Sequence, residues 1–91
     1  MTALSRQVAI TNQRGLHARA SAKFVNLASQ LDARIEVEKD GQRVCGTSIM
    51  GLMSLAAARG TDITVEATGR QAEAVMDAIE ILLATRFGED E

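Results

Sequence analysis

Residues 14–31 read RGLHARASAKFVNLASQL. The stretch changes character at its middle. Arg14 and Gly15 belong to a loop, whereas from residue 18 onward the apolar positions repeat with helical spacing. Ala20, Phe24, Leu27, Ala28 and Leu31 stand at offsets 0, 4, 7, 8 and 11, which is one face of a helix predicted over Ala18–Leu31. At the junction sits His17, the only histidine of the chain, with Arg14 three residues before it and Arg19 two after.

Upstream, Gln7–Thr11 alternates weakly and ends at Asn12, as a strand entering a turn does. Downstream, Arg34–Glu38 sets Ile35 and Val37 against charged neighbours, the pattern of a half-buried strand. Asp40-Gly41 is a tight-turn signal, and Gln42–Cys45 returns as its partner. Residues 48–58 suggest a short helix stopping near Gly60. Ile63 and Val65 alternate with Thr64 and Glu66 in a further strand. Gln71–Phe87 carries Ala72, Val75, Met76, Ile79, Leu82 and Leu83 on one face, with Gly88 as its cap. The order is β-α-β-β-α-β-α, an α+β chain with helices on one face of an antiparallel sheet. Periodicity leaves the strand order open.

Ninety-one residues suit a single domain over 1–91 with one small core, and residues 89–91 are expected to form a frayed acidic tail. A formal charge of −2, two Phe and neither Tyr nor Trp argue against nucleic acid as a partner. Arg6 and Gln7 interrupt the first ten residues, so no signal peptide is expected. No run approaches the roughly 20 apolar residues of a membrane span, so no membrane association is expected. A single cysteine, Cys45, fits a reducing cytoplasm, and its place after Val44 in a strand suggests a buried structural thiol.

A helix start presents unpaired N–H groups and about half a positive charge. That setting favours a neutral imidazole at His17 and offers an anion site beside it. Arg19 falls in the first helical turn, where a cation opposes the dipole, unless an anion is bound there. The combination suits a histidine that accepts a phosphoryl group, with Arg19 and the helix N–H groups stabilising the charge. Gly15 would give the loop freedom and let a partner approach. The bland alternative is an ordinary helix-capping or surface histidine. With no second histidine and no cysteine nearby in sequence, no metal site is expected.

A second stretch, Ser48-Ile49-Met50-Gly51-Leu52-Met53, opens the middle helix. Thr47 or Ser48 is an ordinary N-cap. Leu52, Leu55 and Ala56 make one facing set, and Ile49, Met50 and Met53 another, so one can pack inward while the other docks a partner.

GLHAR before a helix, with SIMGLMSL some thirty residues later, closely resembles HPr, the histidine-containing phosphocarrier family of the bacterial phosphoenolpyruvate-dependent phosphotransferase system. The resemblance covers roughly residues 5–87. It implies an open-faced β-sandwich of four antiparallel strands with three helices on one face. It implies that His17 is phosphorylated at Nδ1 by phospho-Enzyme I and dephosphorylated by an EIIA domain, with Arg19 assisting. Ser48 matches the family's regulatory serine, the target of an HPr kinase/phosphorylase in lineages that have one. Ile49, Met50 and Met53 match its docking patch. A cytoplasmic monomer with no cofactor is implied, a carrier with a phosphohistidine intermediate and not an independent enzyme. Ala20 stands where proline is usual, and Thr47 where many members have lysine. HARAS with SIMGLMSLAA looks like the nitrogen-type or regulatory branch. The alternatives are a non-catalytic small-molecule-sensing module and a regulatory module that binds a transcription factor.

Overall fold

In the computed structural model, which describes residues 3–89, the elements follow the predicted order. They are β1 (Leu4–Ala9), α1 (Ala18–Gln30), β2 (Arg34–Lys39), β3 (Gln42–Cys45), α2 (Ile49–Ser54), β4 (Asp62–Thr68) and α3 (Ala72–Ala84), with a 3-10 turn at Arg86–Gly88. The four strands form one antiparallel sheet in the order β1-β4-β2-β3. It is an open-faced sandwich, with three helices covering one side of the sheet. No helix among the described residues is long and apolar enough to cross a membrane.

The register explains the layers. In β4, Ile63, Val65 and Ala67 are buried while their neighbours face outward, and Ile35 and Val37 of β2 do the same. Val37 pairs with Val65 on one side and Val44 on the other, giving an apolar stripe toward the helices. Phe24 and Ala28 of α1, Leu52 of α2, and Val75, Met76, Ile79 and Leu83 of α3 close the core from above. The opposite face is polar. Arg43 bonds Glu36 at 2.9 Å, Glu38 at 3.3 Å, and also Glu66. These carboxylates hold the guanidinium above its ordinary pKa, chiefly through Glu66.

Strand alternation also corrects the expectation for Cys45. Val44 takes the inward position opposite Val37, so Cys45, opposite Glu36, points to solvent. Its Sγ lies 3.0 Å from the Thr47 hydroxyl, which holds the thiol below its usual pKa.

Three elements, β1, α2 and α3, depart from their predicted bounds by more than one residue at an end. β1 starts at Leu4 and ends at Ala9, because Ile10 leaves the ladder to pair with Thr61 and Gly60 in the loop before β4. α2 ends at Ser54, not near Gly60: Ala56 has φ +51° and the chain turns so that Ala57 packs beside Gly15. α3 ends at Ala84, with Thr85 as its C-cap, and Arg86 and Phe87 both adopt φ +56°. That left-handed turn swings Phe87 into the core, where it is fully buried. Gly88 therefore follows a separate turn and does not cap the helix. The turn also directs Glu89 back across the molecule.

Candidate functional site

The loop from β1 into α1 is fastened at several points. Thr11 Oγ1 donates to the Leu83 carbonyl at 2.7 Å. Leu16 N–H donates to the Ala57 carbonyl at 3.0 Å, and the Leu16 side chain enters the core. Gly15 has φ +65°, and a Cβ there would lie 2.2 Å from the Ala57 carbonyl oxygen. Space beside Gly15 is thus taken by the chain's own backbone. Its expected role of admitting a partner gives way to one of letting two loops of this chain meet.

These ties set His17 at the N-cap position of α1. Its backbone carbonyl accepts from Ser21 N–H at 2.9 Å, while its side chain makes no cap bond. The ordinary capping role is therefore ruled out for the ring. The first-turn N–H groups lie at the helix start, the place where anions are favoured. The ring is 22% exposed, and its Nε2 lies 2.6 Å from Glu89 Oε2. Glu89 Oε1 in turn accepts from Asn12 Nδ2 at 3.1 Å, and the same Nδ2 donates to the Gly15 carbonyl at 2.8 Å. Asn12 is fully buried, and its Oδ1 has no partner.

Arg19 lines the same cavity as His17, a concavity of about 530 Å³ whose other walls are Gln13, Arg14, Lys23, Gly88 and Glu89. Arg19 and Lys23 are four residues apart on α1 and so share a face. Lys23 Nζ donates to the Phe87 carbonyl, joining that face to the turn after α3. Three cations therefore border an open basin around one imidazole. Anions are attracted to such a basin, and the guanidinium forks suit phosphate oxygens. A second groove, of about 310 Å³, runs from Arg14 and His17 to Met53 past Ala56, Ala57 and Ala58.

Ser48 lies at the N-cap of α2, where its Oγ accepts from Gly51 N–H at 2.9 Å. Ile49, Met50 and Met53 are exposed by 39%, 78% and 40%, while Leu52 and Leu55 are buried. The division of α2 into an inward and an outward set is the one its sequence spacing predicts, except that Ala56 falls beyond the helix and is exposed.

Asn12, Lys23 and Glu89 were not anticipated as parts of the site. Lys23 had a signal, its i+4 spacing from Arg19. Asn12 was readable only as a turn residue. Glu89 was expected to fray with the acidic tail. That is corrected for Glu89, whose carboxylate is held by Asn12 and the His17 ring and is only 13% exposed. Residues 90–91 lie outside the described residues.

A family profile described as "PTS HPr component phosphorylation site" matches residues 4–85. The chain is 48% identical over 88 residues to the phosphocarrier protein HPr of Neisseria meningitidis, covering 97% of this chain and 99% of that one. It is 42% identical to the phosphocarrier protein NPr of Shewanella violacea, with 98% of each chain covered. The crystal structure of HPr from Thermoanaerobacter tengcongensis superposes with a TM-score of 0.89 at 38% identity, covering both chains fully.

Proposed function

The chain belongs to the HPr family, the phosphocarriers of the phosphotransferase system, and from that membership we propose that His17 accepts a phosphoryl group at Nδ1 from phospho-Enzyme I and passes it to an EIIA domain. The observation that carries this is the placing of one partly exposed imidazole at a helix start, in a basin bordered by Arg14, Arg19 and Lys23. Transfer of a phosphoryl group needs in-line access and stabilisation of charge on the equatorial oxygens, and little else from the protein. The open basin gives access. The N–H groups of α1 and the Arg19 guanidinium supply the charge stabilisation. A carrier must also release what it takes, and a partly exposed ring holds phosphohistidine without trapping it.

Ile49, Met50 and Met53 form the docking patch, continuous with the site through the groove past Met53 and Ala56. Both partners use this face in turn, so each complex is small and transient. Ser48 is a regulatory phosphorylation site for an HPr kinase/phosphorylase where one is encoded. A phosphate there adds close to two negative charges at the rim of the patch. The protein works as a single domain over 1–91, a cytoplasmic monomer without metal or cofactor, and its branch is the nitrogen-type or regulatory one.

The test is phosphorylation by phosphoenolpyruvate and Enzyme I. Wild type takes up one acid-labile, base-stable phosphoryl group, and His17→Ala takes up none while its circular dichroism is unchanged. Uptake by the alanine variant would overturn the assignment. Arg19→Ala should lower the transfer rate more than it weakens docking.

A further inference from the structure

Arg14 stands third in a four-residue turn. Gly15 N–H donates to the Asn12 carbonyl at 3.2 Å, and the Asn12 amide donates to the Gly15 carbonyl at 2.8 Å. Leu16 N–H, two residues on, is bonded to Ala57. The backbone that carries Arg14 is therefore held in place. Its guanidinium is uncommitted: it is exposed, and among the described residues it has neither a hydrogen bond nor an ion pair. The arginines of the sheet differ. Arg6 pairs with Asp77 at 2.9 Å, Arg34 with Glu36 at 3.4 Å, and Arg43 bonds Glu36 at 2.9 Å.

Two concavities meet at Arg14. It lines the basin of about 530 Å³ with Arg19 and Lys23, and also the groove of about 310 Å³ that leads to Met53. His17 is the one other residue common to both, and apart from that imidazole Arg14 is the sole titratable side chain of the groove. A partner seated on Met53 thus reaches the imidazole across Arg14. Charge balance indicates what Arg14 meets. Three cations and one carboxylate, Glu89, leave the basin with two positive charges. A phosphoryl group brings close to two negative ones. Lys23 is tied to the Phe87 carbonyl at 2.5 Å, so the uncommitted guanidinium groups are Arg14 and Arg19. Without Arg14 only half of the compensating charge remains.

We propose that Arg14 is a second phosphate-binding residue of the transfer step, its guanidinium donating to the phosphoryl oxygens from the loop while Arg19 donates from α1. This rests on the phosphocarrier function above and adds a second residue that holds the transferred group. In the step, the Nδ1 lone pair of His17 bonds to phosphorus of a protein phosphohistidine. The donor's P–N bond breaks, and its electron pair returns to the donor nitrogen. No proton moves, and Arg14 forms no covalent bond. Its planar fork binds non-bridging oxygens, where the charge of a loose transition state is spread. A docking role, with Arg14 paired to a carboxylate of the partner, would use the same charge and act on association alone.

Two readouts test this on the full chain. The first is single-turnover transfer from phospho-Enzyme I over a range of acceptor concentrations. Arg14→Ala should lower the limiting rate about a hundredfold, the low end for losing one charge-stabilising donor, and leave the half-saturating concentration unchanged. Arg14→Lys keeps the charge without the fork and should recover part of the rate. The second is 31P NMR of the phosphorylated protein without any partner. The phosphoryl group on His17 should take up its proton at a pH about 0.5 to 1 higher in Arg14→Ala, because a facing cation holds the dianion ionised. Arg59→Ala removes the same charge from an exposed residue that lines neither concavity, and should match wild type in both readouts. The proposal is overturned if Arg14→Ala raises only the half-saturating concentration, if the 31P titration does not move, or if Arg59→Ala has the same effects. None of these results touches the phosphocarrier function, which fails only if His17→Ala is still phosphorylated.

Discussion

At Gly15 two constraints coincide on one residue. The backbone has φ +65°, which side chains other than hydrogen disfavour, and a Cβ would meet the Ala57 carbonyl oxygen at 2.2 Å. Moving that oxygen would break its bond from Leu16 N–H, the tie that holds the loop to the segment after α2. Gly15→Ala should therefore cost about 2–4 kcal/mol, combining left-handed strain with overpacking. Urea denaturation would read that loss, and phosphoryl uptake should fall with it because His17 is two residues on. A stability change below 1 kcal/mol would mean that the two loops separate easily. At this scale the sequence was informative where a residue acts locally and silent where it acts at a distance. His17 and Arg19 were legible because a histidine and a cation at a helix start conflict with ordinary helix chemistry. Glu89 was not, because its contact with His17 spans 72 positions and depends on a turn made by Arg86 and Phe87, both at φ +56°. No local preference announces such a turn in two residues that usually adopt negative φ. Cys45, in contrast, was legible and misjudged: alternation from Val44 already points it outward.

Among the elements, α2 shows how much a short helix depends on its start. It has six residues, too few for propensity alone to hold it, and its first turn is fastened by Ser48 Oγ accepting from Gly51 N–H. Ser48→Ala should cost about 1 kcal/mol of stability, measured by thermal or urea unfolding, with little effect on the core. Ser48→Asp keeps a capping oxygen and adds charge, so it should retain stability while slowing phosphorylation by Enzyme I. Unchanged kinetics in that variant would count against a regulatory role for the position. The long elements, α1 and α3, were legible from their apolar faces, and the β2–β3 hairpin from Asp40-Gly41. Their ends were less so, since each is decided by tertiary ties. Thr61 and Gly60 draw Ile10 out of β1, Ala57 stops α2 short, and burial of Phe87 stops α3. Ala20, where proline is usual in the family, is fully buried in the first turn of α1, and alanine holds that turn well.

Over the whole molecule, the sheet separates stability from exchange. One side packs against three helices, and the other carries the Arg43 network with Glu36, Glu38 and Glu66. His17, Arg19 and the outward residues of α2 lie on neither sheet face but at the helix layer's edge, joined by the groove lined with His17 and Met53. If donor and acceptor use this same edge in turn, a change there must affect both half-reactions, and a change on the open sheet face must affect neither. Met50 is the clearest probe, since 78% of it is exposed and the core of α2 rests on Leu52. Met50→Asp should alter stability by no more than about 0.5 kcal/mol. It should slow phosphorylation by Enzyme I and also slow delivery to an EIIA domain, both through weaker association. Arg43→Ala, on the far face, should leave both rates unchanged. Stopped-flow transfer measured separately for each half-reaction decides the matter. Loss of only one rate in Met50→Asp would show that donor and acceptor recognise different surfaces.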